Sequence, residues 1–227
     1  DAVEQIRVAN THDDILFFSK NGKVFRAKAY EVPSSTRAAK GKLVQSFLEL
    51  PASPSGDGRG GEQITAIVAV PKHDGGYLTM VTEGGYIKRT PLKQFEHIRR
   101  GGIAAISLKR GDTLRWAQLT SGRGEVVCAT RSGKAIRFKE SDVRPMGRTA
   151  AGVAAIRLRK GDAVAGAGII NKADISRTKL FVITEEGYGK QTKLGEYKVQ
   201  KRGGSGVRTA RITKKNGPIA AVSYTHL

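Results

Sequence analysis

The sequence predicts an all-β, propeller-like fold, and three observations carry that expectation. A unit of apolar run, glycine turn and basic strand is written four times along the 227 residues. Each copy continues with a second glycine, a tight turn and a closing apolar run. Four short strands in about fifty residues is the pattern of a propeller blade. No segment sustains the 3.6-residue apolar period of a substantial helix.

The first copy reads Ile15-Leu16-Phe17-Phe18, then Asn21-Gly22, then Lys23-Val24-Phe25-Arg26. The second runs Tyr77-Leu78-Thr79-Met80-Val81, Gly84-Gly85, Tyr86-Ile87-Lys88-Arg89, and the third Val126-Val127-Cys128-Ala129, Ser132-Gly133, Lys134-Ala135-Ile136-Arg137. The fourth is Leu180-Phe181-Val182-Ile183, Glu186-Gly187, Tyr188-Gly189-Lys190. Asn21-Gly22 and Asn216-Gly217 are strong hairpin signals, because a type I′ turn needs positive φ at both central residues. The unbroken apolar runs fit strands covered on both faces, whereas Lys23 to Arg26 mixes in charge as an outer strand does.

Second glycines follow at Gly41, Gly102, Gly152 and Gly206, each preceded by basic residues. Further strands are expected at Ile103 to Leu108 and Val153 to Leu158, then tight turns at Lys109-Arg110-Gly111-Asp112, Arg159-Lys160-Gly161-Asp162 and Lys214-Lys215-Asn216-Gly217. Closing strands are expected at Ile64 to Val70 and Val164 to Ile170, with another beginning at Ile219 to Val222. A blade cannot bury both faces alone, so successive copies must stack. The repeats span about 13–70, 75–119, 124–170 and 177–222. Residues 1–10, with Val3 to Val8 at their centre, read as the closing strand of an upstream unit. The Pro/Gly/Ser-rich insert Pro51 to Gly61 reads as a surface loop, and Ser223 to Leu227, which follow no repeat pattern, as a candidate non-native tail.

The charge balance narrows the function. Forty Lys plus Arg stand against twenty Asp plus Glu, a net charge of +20. A globular surface so unbalanced repels itself unless an anion sits against it, and nucleic acid is the commonest such partner. A membrane surface would call for a basic amphipathic helix or a lipid signal, and the chain has neither. Cys128, the single cysteine, lies in an apolar run and reads as a small core residue in a reducing, cytoplasmic setting.

The basic residues sit in one register. Arg37, Lys40 and Lys42 flank the first of the second glycines, Arg99 and Arg100 the next, Arg144 and Arg148 the third, and Lys198, Lys201 and Arg202 the fourth. Arg137 and Lys190 belong to the basic strands of their repeats. Around a propeller axis these corners form a curved positive stripe that binds duplex DNA through its phosphates, with little sequence readout. The aromatic content of 6% is thin for a protein that stacks single-stranded bases. Chemistry is absent from the motifs. None of the four Gly-Lys pairs is followed by Ser or Thr, and His12, His73, His97 and His226 share no metal-ligand spacing.

At this point the residues resemble a known family. Val8-Ala9-Asn10-Thr11-His12-Asp13, Arg137-Phe138-Lys139-Glu140-Ser141-Asp142-Val143-Arg144-Pro145-Met146-Gly147 and Glu186-Gly187-Tyr188-Gly189-Lys190-Gln191-Thr192 look like the C-terminal domain of type IIA topoisomerase A subunits, of DNA gyrase in particular. The resemblance implies a β-pinwheel, a propeller variant whose neighbouring blades exchange strands, usually of five or six blades, of which the four visible in this chain would be an arc. It implies that duplex DNA wraps the basic perimeter, serving ATP-dependent negative supercoiling by a holoenzyme with a breakage-reunion domain and a gyrase B subunit in the bacterial nucleoid. ATP and magnesium belong to that holoenzyme; no cofactor, metal or catalytic residue is expected in this chain. The family's Gln-Arg/Lys-Arg-Gly-Gly-Arg/Lys-Gly box is approached by Gln200-Lys201-Arg202-Gly203-Gly204-Ser205-Gly206, where Ser205 replaces a basic residue. The alternatives are the corresponding domain of topoisomerase IV and a propeller that serves as a protein-interaction scaffold.

Overall fold

The computed structural model describes residues 5–48, 50, 62–71 and 75–226. Asp1–Glu4, the insert Pro51 to Gly61, His73 and Leu227 lie outside the described residues. In chain order the strands are β1 (Asp14–Ser19), β2 (Lys23–Lys28), β3 (Ile64–Val70), β4 (Tyr77–Thr82), β5 (Tyr86–Pro91), β6 (Ile103–Ala104), β7 (Leu114–Thr120) and β8 (Glu125–Thr130). They continue as β9 (Lys134–Lys139), β10 (Val153–Ala154), β11 (Val164–Ile170), β12 (Thr178–Thr184), β13 (Gly189–Lys193), β14 (Val207–Arg208) and β15 (Ile219–His226). Apart from short 3-10 turns, the described residues hold no helix.

The strands form four antiparallel sheets, in the orders β3-β1-β2-β6, β10-β5-β4-β7, β11-β8-β9-β14 and β13-β12-β15. The central hairpin of each comes from one repeat, as with Ile15↔Ala27 and Phe17↔Phe25 in the first. The closing strand returns beside the apolar strand, as Val68 does beside Leu16. The outermost strand comes from the next repeat. β6 pairs with β2, β10 with β5 and β14 with β9, through Val24↔Ile103, Ile87↔Val153 and Ala135↔Val207. This exchange makes the fold a pinwheel.

The exchanged strand is shorter than the six residues that the sequence suggests. Past its second residue the chain reaches the tip of the preceding hairpin, and its amides leave the ladder for the turn carbonyl. Ala105 and Ile106 N–H donate to Gly22 O, Ala155 and Ile156 to Gly85 O, and Thr209 and Ala210 to Gly133 O. The turn glycines are forced at this contact. Gly22 has φ 80°, and a Cβ there would lie 2.6 Å from Ile106 O.

The closing strands β3, β7, β11 and β15 succeed one another as neighbours on the inner side of the arc. Cores lie between blades. Leu16, Phe18 and Val24 of the first sheet meet Leu78 and Met80 of the second. Val81 and Ile87 meet Val126, Cys128 and Ile136, and Val127 and Ala129 meet Leu180 and Val182. Period-2 alternation thus supplies each blade with two apolar faces. Cys128 is one of these packing residues, its thiol pushed up to about 12 by burial. The upstream face of the first blade, with Ile15, Phe17 and Phe25, is covered by its own segment carrying Val44, Phe47 and Leu48.

Residues near both ends of the chain bond blade strands. Gln5 bonds the backbone of β3 through Thr65 O at 2.9 Å and Ile67 N at 3.2 Å. Gln118 of β7 makes a similar pair of bonds to Ile169 of β11, but residues 5–10 form no strand, and Ile6 and Val8 are exposed. Ser223 to His226, which match no repeat pattern in the sequence, continue β15 and pair with β12 through Ser223↔Phe181.

Candidate nucleic-acid interface

The basic corners at Arg99-Arg100, Arg144 to Arg148 and Lys198 to Arg202 immediately precede the exchanged strands β6, β10 and β14, on the outermost edge of the blades; the corner at Arg37 to Lys42 precedes no exchanged strand among the described residues. The third and fourth corners are also tied by the backbone to the blade before them. Met146 N–H donates to Arg89 O at 2.8 Å, and Gln200 N–H makes the same bond to Arg137 O. Ser107 N–H donates to Ala150 O and Arg157 N–H to Gly204 O, so corner and preceding outer segment run as one belt around the perimeter.

Arg148 and Arg202 occupy equivalent places in that belt. The Arg148 guanidinium donates to Ala104 O at 3.1 Å, and Arg202 to Ala154 O at 3.3 Å and Asp142 O at 3.0 Å. Both are half-buried, so they clasp neighbouring blades as well as supplying charge. Arg37, Lys40, Lys42, Arg99, Arg100, Arg144, Lys190, Lys198 and Lys201 are exposed. Lys190 Nζ reaches Thr209 O at 3.3 Å.

Arg137 departs from the sequence expectation. It is only 8% exposed, and it forms an ion pair with Glu125 while donating to Leu194 O at 3.0 Å and Tyr197 O at 2.9 Å. With its donors committed inside, it is withdrawn from the candidate phosphate contacts. The reason is its register: this strand position points across to the fourth blade, where the Leu194 and Tyr197 carbonyls accept from it.

The structure gathers cations that the sequence leaves scattered. A cleft of about 620 Å³ at the rim is lined by Arg26, His97, Arg99, Gly102 and Arg148, which brings cations of three repeats to one concavity. Arg26, missed in the sequence because it sits mid-strand, is exposed and held by Glu96 O at 2.8 Å. Beneath this cleft Lys88 is fully buried, its ammonium donating to Ala105 O at 2.6 Å and to Arg148 O. Burial, aided by the Arg148 cation, lowers its pKa from 10.5 to about 8.

The box-like loop is built by close backbone approach. Gly203 N–H donates to Ala155 O at 2.7 Å. A Cβ on Gly206, whose φ is 66°, would lie 2.5 Å from Ala135 O. Gly204 O takes the Arg157 amide, and Gln200 is half-buried. Lys201 and Ser205 are the exposed members, so Lys201 carries the outward charge of the loop.

The acids explain why the surface stays so positive. Glu140 is fully buried, accepting from Thr79, Thr120 and the Gly124 amide. Asp112 accepts from Thr82 and Gly84, and Asp162 from Ser132. These three carboxylates are spent on internal donors and face away from solvent cations. The cavity along the inner strands, lined by Gln63, Thr65, Gln118 and alanines, offers neither a nucleophile–base pair nor a carboxylate pair. No group of three His, Cys, Asp or Glu able to hold a metal occurs among the described residues.

Comparison with known proteins agrees with this geometry. The chain is 40% identical over 227 residues to the DNA gyrase A protein of Haloquadratum walsbyi, a match covering 98% of this chain and 25% of that protein. It is 39% identical over 225 residues to the DNA gyrase A protein of Staphylococcus epidermidis, covering 98% of the chain and 24% of the relative. The chain therefore spans about a quarter of the length of these relatives. Among solved structures, a C-terminal domain of DNA topoisomerase IV superposes with a TM-score of 0.81 at 27% identity, covering 95% of this chain and 64% of that one. A DNA gyrase A C-terminal domain superposes at 0.76 with 26% identity, covering 95% and 67%. The family model for the DNA gyrase C-terminal domain, beta-propeller, matches residues 13–49, 76–121, 124–171 and 178–225, one stretch per blade, and the chain belongs to that family.

Proposed function

We propose that this chain binds duplex DNA along its basic perimeter and bends it, wrapping DNA for negative supercoiling by a gyrase holoenzyme. The observation that supports this most directly is the belt. Equivalent corners of successive blades follow one another on the outermost edge, and Arg148 and Arg202 make equivalent bonds to Ala104 O and Ala154 O. A rim that repeats its cations at each blade offers phosphate contacts along a curve. Smoothly bending 20–30 base pairs by 40–90° costs about 1–6 kcal/mol, which several charge-assisted contacts offset. In this reading the partners are duplex DNA, the breakage-reunion domain of gyrase A, and gyrase B. The setting is the bacterial cytoplasm, ATP and magnesium serve only the holoenzyme, and the chain itself is non-catalytic.

The first test is a salt titration with a random-sequence duplex labelled for energy transfer at both ends. Log affinity should fall linearly with log salt, by about 0.9 per phosphate neutralised, and the duplex ends should approach each other on binding. A flat salt response or an unbent duplex overturns the proposal. A second reading, the matching domain of a topoisomerase IV, draws on the TM-score of 0.81 to such a domain. The sequence identities of 39–40% to gyrase A proteins favour gyrase. Sealing nicked plasmid in the presence of the chain separates the two: a gyrase-type wrap leaves a shifted linking number, and a simple bend leaves it unchanged.

A further inference from the structure

The pairs Lys109-Arg110, Arg159-Lys160 and Lys214-Lys215 stand apart from the corner row. Each lies in the turn that follows an exchanged outer strand, at the opposite end from the corner that precedes it. All six side chains are exposed, and none makes an ion pair among the described residues. The acids beside two of the pairs do not neutralise them. Asp112 Oδ1 and Oδ2 accept from Gly84 N–H at 2.7 Å and Thr82 Oγ1 at 2.6 Å, and Asp162 Oδ1 accepts from Ser132 N–H at 3.0 Å. Each acid points inward to hold its hairpin tip, and its basic neighbours are left facing water.

Two of the cations are held in place. Lys109 Nζ donates to Tyr86 Oη at 2.8 Å and lies 4.1 Å from the Tyr86 ring centroid. Lys215 Nζ lies 5.9 Å from the centroid of Tyr188, the residue at the matching position two repeats on. A side chain fixed before binding loses less rotamer entropy on meeting a phosphate.

The separation of the two ends suits a duplex. Along β5, the corner of the third repeat bonds at Arg89 through Met146, and the outer segment bonds at Gly85 through Ile156. Four residues of strand span ~13 Å, and the turn pair lies beyond Gly85. The major groove of DNA is ~12 Å wide, so corner and turn reach phosphates on opposite sides of one groove. Arg157 and Arg208, both exposed, occupy the outer segments between the ends.

We propose that these three pairs form a second phosphate-binding row, parallel to the corner row, so that DNA on the rim is held along both edges of its path. The inference rests on the wrapping reading above. The test is salt titration of random-sequence duplex with the 227-residue chain and with a variant carrying K109Q, R110Q, R159Q, K160Q, K214Q and K215Q. Glutamine keeps side-chain length and polarity at exposed sites, and a thermal transition matching the parent confirms folding. If the variant fails that check, the three pairs are changed one at a time and their slope losses added.

The expected result is a log–log slope shallower by about 5, from six phosphates at ~0.9 each. A loss smaller than about two units overturns the second row. It leaves wrapping intact if the parent slope stays steep and a corner variant with R99Q, R100Q, R144Q, K198Q and K201Q loses its own share. A flat slope in the parent overturns the wrapping reading itself.

Discussion

Arg137 shows how a single register position converts a surface charge into a structural one. It lies in a basic strand like Arg26, which stays exposed, but the fourth blade presents Leu194 O and Tyr197 O within reach and Glu125 sits alongside. Removing one partner of a buried pair leaves the other charge uncompensated, at about 3–5 kcal/mol. Arg137→Ala should therefore lower the thermal midpoint sharply, while the salt slope of duplex binding, measured well below that midpoint, stays at the parent value. A stable Arg137→Ala chain with a shallower slope would return this residue to the interface.

At the scale of the element, the corner loop divides its labour between neighbours in sequence. Lys201 is exposed, whereas Arg202 is half-buried and bonded to Asp142 O and Ala154 O. From the sequence, Lys201 with Arg202 and Arg99 with Arg100 look like interchangeable basic pairs. The structure makes Arg202 the counterpart of Arg148 instead. Lys201→Ala should reduce the salt slope by about one unit and leave stability alone. Arg202→Ala should cost about 1–3 kcal/mol of stability from the carbonyls it abandons, read by chemical denaturation. Equal effects of the two substitutions on both measurements would remove the distinction.

Across the molecule, the blades are joined by apolar faces and by a few polar clips, among them Lys88, whose pKa burial lowers to about 8. Its ammonium links β5 to Ala105 O and to the corner carbonyl of Arg148. The folded pKa is about 8 against 10.5 for a free lysine. Between those values the unfolded chain holds a proton that the folded chain has released, so stability rises with pH through that window. Lys88→Met should abolish this rise, and the difference in unfolding free energy, parent minus variant, should climb from pH 8 to 10.5 and level off beyond. A pH-independent difference would show that the amine titrates alike in the folded and unfolded chain. Methionine is a fair probe, because the equivalent positions in the first and third repeats hold Phe25 and Ile136, both buried.

Much of this architecture is legible in the sequence because its signals are local. Unbroken apolar runs, Asn-Gly and Gly-Gly turns and the closing strands at Ile64–Val70 and Val164–Ile170 depend on neighbours a few residues away, and the structure has these closing strands at the same bounds. The repeat itself announces stacked blades, since a hairpin with apolar residues on both faces cannot bury both by itself. The net charge of +20 is equally a property of composition. Tertiary structure alone decided which sheet each outer strand joins and which cations remain outside. Ile103 and Val153 pair across repeats, a choice made by the edge left open on β2 and β5 and not by anything in their own residues. Arg137 and Arg144 are indistinguishable as isolated arginines. One meets a carboxylate and two backbone carbonyls and is buried, and the other meets water. Burial of a charge is set by the partners that folding delivers to it, and those partners lie up to 60 residues away in the chain.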